Sequence, residues 1–185
     1  MNPILMLALN RFCPRAISLQ RLELRNLTLN LSHCQSLASA LVNCQCLTEL
    51  SFSNMPLHDD GGASIMMNLA QVPLTKLTLA SCDLTDQCGS AVKALLGRCS
   101  TLRRLDLKDN SFTSRILLDL EEVLGSSSLI VLNLRGNRMV DSQLAANINH
   151  VLRGLRVLVD KDRRKSDHRK PRRLAPKKQA GPKRS

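Results

Sequence analysis

Residues 74–96 read LTKLTLASCDLTDQCGSAVKALL, and this stretch contains the pattern that decides the fold. Its first half alternates leucine with polar residues around Leu77 and Leu79, which points two side chains to one face, as a short β-strand requires. Its second half spaces apolar residues as a helix does, at Val92 and Leu95. The stretch therefore predicts one strand followed by one helix.

The same unit recurs along the chain at a nearly fixed interval. Segments that open with the pattern L-x-x-L-x-[LF] begin at Leu19, Leu47, Leu74, Leu102, Leu129 and Leu155, and the last of them is incomplete. The spacings between these leucines are 28, 27, 28, 27 and 26 residues. A period of this size is typical of a solenoid, in which each unit buries its apolar face only against its neighbours.

Polar residues mark the turns and the helix ends of this unit. Asn110 and Asn137 follow two of the predicted strands, where an amide side chain can hydrogen-bond the backbone of a tight turn, and Cys82 takes the same place as a small buried group. Asp86 and Asp141 lie just ahead of helical segments, which they are predicted to cap. The predicted helix stops are Gly97, Gly125 and Gly154.

The pattern L-x-x-L-x-L-x-x-[NC]-x-L resembles the leucine-rich repeat in its long, ribonuclease-inhibitor-like variety. This resemblance implies an α/β solenoid with parallel strands on a concave face and helices on a convex face. We therefore predict a degenerate N-terminal cap or truncated repeat over residues 1–18 and a leucine-rich-repeat domain of about five repeats over residues 19–159. A disordered basic tail is predicted over residues 160–185.

Three stretches of the chain, residues 19–31, 74–95 and 129–152, are also similar to repeats of a leucine-rich-repeat centrosomal family of centrioles and cilia. In that family too a basic segment follows the last repeat, although its long coiled coil has no counterpart in this sequence. The resemblance implies a cytoplasmic protein at the centrosome or the base of a cilium, and the basic clusters in residues 161–185 leave the nucleus as the alternative.

The basic charge of the chain is concentrated in residues 161–185, which hold twelve Lys or Arg and two Asp. The preceding 160 residues carry fifteen basic and thirteen acidic groups, so the body is nearly neutral. With one leucine and no aromatic residue, the tail cannot bury enough apolar area to offset its ordering entropy. It could bind a polyanion (nucleic acid or a microtubule surface), direct the protein to the nucleus, or be merely solvated. The residues assigned to polyanion binding or nuclear targeting are Arg163, Arg164, Lys165, Arg169, Lys170, Arg172, Arg173, Lys177 and Lys178.

The residues between the leucines of each strand are predicted to point outward and to form the partner-binding surface. They are Arg21, Glu23, Glu49, Lys76, Arg104, Asp106, Lys108, Asn133 and Arg135. Basic residues are denser toward the C-terminal half, which favours an acidic or mixed-charge protein segment as the partner, because arginine pairs with carboxylates through two parallel hydrogen bonds. A merely solvated strand face is the alternative.

Nothing in the sequence predicts catalysis, a cofactor, a metal site or a membrane span. The seven cysteines include no C-x-x-C pair, which indicates reduced structural thiols in an intracellular protein. The four histidines stand far apart, and the chain has neither a nucleophile elbow nor a phosphate-binding loop. The adjacent acids at 59–60 and 121–122 are predicted to be solvated surface, since sequence neighbours on a turn or helix do not face each other.

The sequence thus predicts a non-catalytic protein–protein interaction scaffold that binds its partner on the concave face. Two alternatives stay open. The first is a nuclear, nucleic-acid-associated protein that binds through its basic tail, and the second is a regulator or inhibitor of an enzyme.

Overall fold

A computed structural model describes residues 18–137 and 140–160 of the chain. In this part, strands and helices alternate, and six strands form one parallel sheet in sequence order. The strands are β1 (Arg21–Arg25), β2 (Glu49–Ser53), β3 (Lys76–Ala80), β4 (Arg104–Asp106), β5 (Val131–Asn133) and β6 (Arg156–Leu158). The α-helices between them are α1 (Leu31–Leu41), α2 (His58–Asn68), α3 (Gly89–Arg98), α4 (Arg115–Leu124) and α5 (Ser142–Val151). Short 3-10 helices occupy Leu69–Gln71 and Asp86–Cys88.

Neighbouring strands pair at the same point of each repeat. The residues in register across the middle of the sheet are Leu22, Leu50, Leu77, Leu105, Leu132 and Val157. Their side chains face the helices, and from Leu50 onward all are at most 4% exposed. The sheet confirms the predicted α/β solenoid, with strands on the concave side and helices on the convex side, and the incomplete sixth segment supplies β6.

One continuous apolar core runs along the repeats. The strand leucines pack against the inner faces of the helices, and the aromatic rings of Phe52 and Phe112 are fully buried among them. Burying one such side chain contributes roughly 1.5–3 kcal/mol, and most of that burial comes from adjacent repeats. The core therefore positions every strand, and with it the exposed residues between the leucines.

Each of the first five strands in the described chain leads into a residue with left-handed backbone. These residues are Asn26, Asn54, Ser81, Asp109 and Gly136, with φ between 54° and 78°. Asn, Asp and Gly are the residue types that adopt this conformation most readily. At Gly136 an added Cβ would lie 2.1 Å from a carboxylate oxygen of Asp109 and 2.9 Å from its backbone nitrogen. Glycine is required there by both conformation and space.

The predicted turn role of Asn110 is confirmed, and the side chain also reaches the preceding repeat. Its Oδ1 accepts hydrogen bonds from the backbone nitrogens of Cys82 (2.9 Å) and Leu84 (3.1 Å). Its Nδ2 donates to the carbonyl oxygens of Leu79 (2.7 Å) and Leu107 (2.9 Å). The amide therefore ties two successive turns together from a buried position.

Asn137 does the same one repeat later. Its Oδ1 accepts from the Phe112 nitrogen at 3.0 Å, while its Nδ2 donates to the carbonyl oxygens of Leu107 and Leu134, both at 2.9 Å. Cys82 takes the equivalent place in the third repeat, where its thiol donates to the Ala80 carbonyl at 3.4 Å. Two buried amides and one thiol thus hold consecutive turns in place.

A second set of bonds between repeats corrects two predictions. Asp59 is more than solvated surface, because its carboxylate accepts from the nitrogen and the hydroxyl of Thr85, both at 2.7 Å. Asp86 does not cap α3. Its carboxylate accepts from the nitrogen (3.1 Å) and hydroxyl (2.5 Å) of Thr113, and Thr85 caps the 3-10 turn by accepting from the Gln87 nitrogen at 3.2 Å. The parallel stacking of repeats brings each carboxylate to the threonine of the next repeat.

Of the other predicted helix ends, those at Asp141 and Gly125 are confirmed, whereas α5 ends at Val151, three residues before Gly154. Asp141 caps α5 by accepting from the Gln143 nitrogen at 2.7 Å, and Gly125 directly follows α4. Gly97 lies inside α3 and not after it, because the Cys99 nitrogen still bonds the carbonyl of Leu95.

Parts of the predicted organisation lie outside the described residues. These are the N-terminal cap up to residue 17 and the basic tail from residue 161, including all the tail residues assigned to polyanion binding or nuclear targeting. None of the helices in residues 18–137 and 140–160 combines the length and apolarity that a membrane crossing needs.

Candidate functional site

The side chains that alternate with the core leucines lie on the concave face of the sheet. All the predicted partner-binding residues lie on this face, in β1 to β5 or directly after β4 and β5. Arg21, Glu23, Lys76, Arg104, Lys108 and Arg135 are exposed, and Glu49, Asp106 and Asn133 are partly exposed. Ala80 also belongs to this alternation but is buried, at 3% exposure.

The strand register sorts the charges of the concave face into rows that cross the strands. The first row contains Arg21, Glu49, Lys76, Arg104, Val131 and Arg156. The next row toward the strand ends contains Glu23, Ser51, Thr78, Asp106, Asn133 and Leu158. The first row therefore has a surplus of cations, and the second has only anionic and neutral groups.

Charges in the N-terminal half of the concave face neutralise one another. Arg21 Nη2 donates to Glu49 Oε1 at 2.8 Å, and Lys76 Nζ lies 3.8 Å from the other carboxylate oxygen. The hydrogen bond from Arg21 is the main reason that the pKa of Glu49 is lowered, and the nearby positive charges add to it. Arg25 bonds Glu23 in the same way. This half offers little free charge to a partner.

The C-terminal half differs, because three of its arginines have no acidic partner among residues 18–137 and 140–160. Arg104, Arg135 and Arg156, here called the arginine cluster, are exposed, and their guanidinium groups form no ion pair or hydrogen bond with any residue of the described chain. Arg104 and Arg156 occupy the same row two strands apart, which corresponds to about 10 Å. These guanidinium groups are available to bind another molecule.

Arg156 was missing from the predicted site. The sixth leucine-led segment is incomplete in sequence, so its strand was not assigned to the partner-binding surface. Arg156 lies one residue after Leu155, whereas Arg104 lies two residues after Leu102, so counting from the leading leucines does not align the two arginines. The register of β6 against β5 places it on the concave face.

Asp106 and Asn133 hold the backbone beside the arginine cluster in place without forming an ion pair with its guanidinium groups. Asp106 Oδ1 accepts from the Lys108 nitrogen at 3.1 Å and from Asn133 Nδ2 at 3.0 Å. Asn133 Oδ1 in turn accepts from the Arg135 nitrogen at 3.3 Å. These bonds fix the backbone that presents Lys108 and Arg135 beyond the ends of β4 and β5. Lys108 itself lies 3.9 Å from the carboxylate of its neighbour Asp109.

The remaining reactive groups of the described chain are dispersed or buried. No three or more His, Cys, Asp or Glu side chains come together within residues 18–137 and 140–160 in a way that could hold a metal ion. Burial raises the pKa of Cys82 to about 12 and that of Cys88 to about 12, so both thiols stay protonated at neutral pH. The concave face thus offers cations and hydroxyls, which suit recognition of another molecule's surface.

Comparison with known proteins agrees with this architecture. A family model described as Leucine Rich repeat matches residues 98–120. Human NACHT, LRR and PYD domains-containing protein 5 is 36% identical over 97 residues, covering 51% of this chain and 8% of that protein. Mouse ribonuclease inhibitor is 32% identical over 136 residues, covering 69% of this chain and 30% of the inhibitor. The chain therefore spans less than a third of the length of these relatives.

Among solved structures, the tropomodulin C-terminal domain of Caenorhabditis elegans is similar to this chain, with a TM-score of 0.50 at 15% sequence identity. The likeness covers 85% of this chain and 83% of that domain, and at this identity it shows the fold alone. The repeated leucine pattern, the parallel sheet and the aligned relatives lead to one assignment. This chain is a leucine-rich-repeat protein of the ribonuclease-inhibitor-like variety, an architecture suited to protein binding.

Proposed function

We propose that this protein is a non-catalytic interaction scaffold that binds an acidic segment of a partner protein on the C-terminal half of its concave face. The carrying observation is the contrast between the two halves. The cations of the first half are paired with Glu49 and Glu23, whereas the arginine cluster has no acidic partner in the described chain.

Carboxylates are the groups best suited to bind such a cluster of arginines. A guanidinium presents a planar set of donors that matches both oxygens of an Asp or Glu side chain. An exposed pair contributes only about 0.2–1 kcal/mol, and the two parallel hydrogen bonds of a guanidinium with a carboxylate are the geometry in which such a pair contributes most. Three arginines on adjacent repeats would therefore favour a segment with several acidic residues.

The relatives support a protein as the partner. The mouse relative is named a ribonuclease inhibitor, and the alignment with it covers 69% of this chain. That relationship also favours a second candidate function, in which the concave face covers and regulates an enzyme. Inhibition of a purified enzyme by the isolated protein, lost when the arginine cluster is reversed, would support the second candidate.

Charge reversal of two cluster residues tests the proposal directly. The double variant Arg104→Glu, Arg135→Glu should lose capture of an acidic partner segment while keeping the fold, because both side chains are exposed and contribute no core volume. The double variant Arg98→Glu, Arg153→Glu is the matched control, since it has the same net charge but changes exposed arginines outside the strands. Pull-downs and circular dichroism of both variants would measure capture and fold.

Deletion of residues 161–185 separates this proposal from nucleic-acid binding. In the proposed function the tail adds salt-screened attraction to the same partner, so its deletion should weaken capture modestly. If the tail deletion removes every partner and the Arg104→Glu, Arg135→Glu variant keeps them, the tail is the binder and the proposal fails. Binding of an oligonucleotide that falls steeply with salt would then indicate the nucleic-acid alternative.

The proposed place of action is the cytoplasm, at the centrosome or the base of a cilium. The support is the similarity of three repeat stretches to a centrosomal family, together with the basic segment after the last repeat. Imaging of the tagged full chain beside a centrosomal marker would test this. A nuclear signal that depends on residues 161–185 would instead favour the nuclear alternative.

A further inference from the structure

The last strand of the described sheet has its outer edge occupied by a side chain. Asn149, on helix α5, accepts a hydrogen bond at its Oδ1 from the Val157 nitrogen at 2.6 Å. Its Nδ2 donates to the Val157 carbonyl oxygen at 3.1 Å. One amide side chain thus pairs with both backbone groups of one residue, as the peptide groups of a neighbouring strand would.

The direction of those two backbone groups follows from the ladder between β5 and β6. The Arg156 nitrogen donates to the Ile130 carbonyl, and the Leu158 carbonyl accepts from the Leu134 nitrogen. Successive residues of a strand present their backbone groups to opposite edges, so those of Val157 point away from β5. Asn149 therefore covers the edge at which a further strand would pair.

Asn149 differs in kind from the residues at the same place in the preceding repeats. It lies eight residues before the strand residue Val157, and the equivalent residues before β2 to β5 are Val42, Leu69, Gly97 and Leu124. None of these carries an amide, and each precedes a strand whose outer edge is already paired with the next strand. The amide appears only where the described sheet has no neighbouring strand.

We propose that Asn149 closes the edge of β6 against pairing with the β6 edge of a second copy of this protein. An unpaired edge is a template for another strand, and proteins commonly block it. Two β6 edges could pair antiparallel across a twofold axis, in which each Val157 would exchange both backbone hydrogen bonds with its counterpart. Those are the two groups that Asn149 now holds.

The test is self-association of the full chain with Asn149→Ala. Sedimentation velocity over a hundredfold concentration range, in about 0.5 M salt to screen the tail charges, should show dimers that the parent does not form. The matched control is Asn147→Ala, because Asn147 is an exposed amide on the same helix whose described contact is with Gln143. The control should stay monomeric.

Hydrogen exchange of the Val157 amide shows whether the edge itself has opened. At low concentration, Asn149→Ala should exchange this amide at least tenfold faster than the parent, with the Leu105 and Leu132 amides unchanged. A second variant, Asn149→Leu, carries the residue found at the equivalent place before β5 and serves if the alanine variant does not fold. Unchanged exchange at Val157, or faster exchange without dimers, would overturn the proposal.

Discussion

At the scale of single residues, buried polar side chains in the turns after the strands connect neighbouring repeats by hydrogen bonds. The side chain of Asn137 forms three hydrogen bonds of 2.9–3.0 Å and is 3% exposed, so water does not readily replace a bond that is lost. An unpaired buried donor or acceptor is more costly than the gain from forming the bond. The contribution of these asparagines to stability is therefore mainly the cost of the backbone groups that would be left unpaired without them.

Replacement of Asn137 by leucine tests this. We expect Asn137→Leu to lower the free energy of unfolding by roughly 1–3 kcal/mol, because the Phe112 nitrogen loses its partner and the Leu107 carbonyl keeps only its bond from Asn110. Cys82→Ala should cost less, since less hydrogen bonding is lost. Urea melts of both variants measure the difference, and equal stability of Asn137→Leu and the parent would contradict the role given to this turn.

At the scale of the strands and helices, the sequence predicted the elements within each repeat but not the hydrogen bonds between side chains of one repeat and the next. The leucine spacing predicted the strands, and Asn110 predicted a turn, because these patterns are local. The bonds from Asp59 to Thr85 and from Asp86 to Thr113 join residues in different repeats. Their partners become evident only once the stacking register is known.

One recurring feature of the turns is evident in the sequence, whereas the extent of the site is not. Left-handed residues such as Asp109 and Gly136 lie one place before the Asn of the turn, and their residue types favour that backbone. Arg156 lies in an incomplete repeat, and the register of β6 against β5, not its distance from Leu155, places it in the row of Arg104. The pairing state of the arginines could not be predicted, because it depends on which carboxylate lies across the next strand.

Glu49 controls how far the basic surface extends across the strands. We expect Glu49→Gln to release Arg21 and Lys76 and to strengthen capture of an acidic segment about two- to fivefold at low salt, the magnitude of exposed ion pairs. Because the folded-state pKa of Glu49 is lowered, the same release should occur on acidification, as pH falls through that pKa.

The matched control for this variant is Glu122→Gln. It removes an equal charge from an exposed pair with Lys93 between α3 and α4, where the two atoms lie 2.7 Å apart. Titration of a fluorescent acidic peptide against both variants measures the affinity. An equal gain in affinity for both variants would show that the net charge of the protein, and not the position of the charge on the concave face, determines binding of the peptide.

For the whole molecule, buried thiols make stability depend on alkaline pH. Burial raises the pKa of Cys34 and raises that of Cys82 and Cys88 to about 12 each. Thiols of the unfolded chain ionise near pH 8.5, so above that pH the unfolded state releases protons that the folded state keeps. Unfolding is therefore favoured progressively as pH rises from about 8.5 toward 12.

We expect the free energy of unfolding to fall between pH 7.5 and 9.5 by on the order of 1 kcal/mol per buried thiol. Urea melts in the presence of a reductant measure this fall. The variant Cys82→Ala, Cys88→Ala serves as the comparison and should show a flatter dependence on pH. An identical slope in the parent and the variant would contradict the assignment to these thiols.

The regular distance between strands also determines how far apart the contacting groups of a partner that crosses the sheet must lie. Arg104 and Arg156 lie two strands apart, about 10 Å, on the same row. An α-helix rises 1.5 Å per residue, so carboxylates about seven residues apart along one face of a helix would reach both guanidinium groups. In an extended chain, side chains on one face recur every two residues, about 7 Å apart, so carboxylates two or four residues apart would come nearest to both guanidinium groups. The spacing of acidic residues in a partner therefore indicates whether it crosses the strands as a helix or as an extended segment.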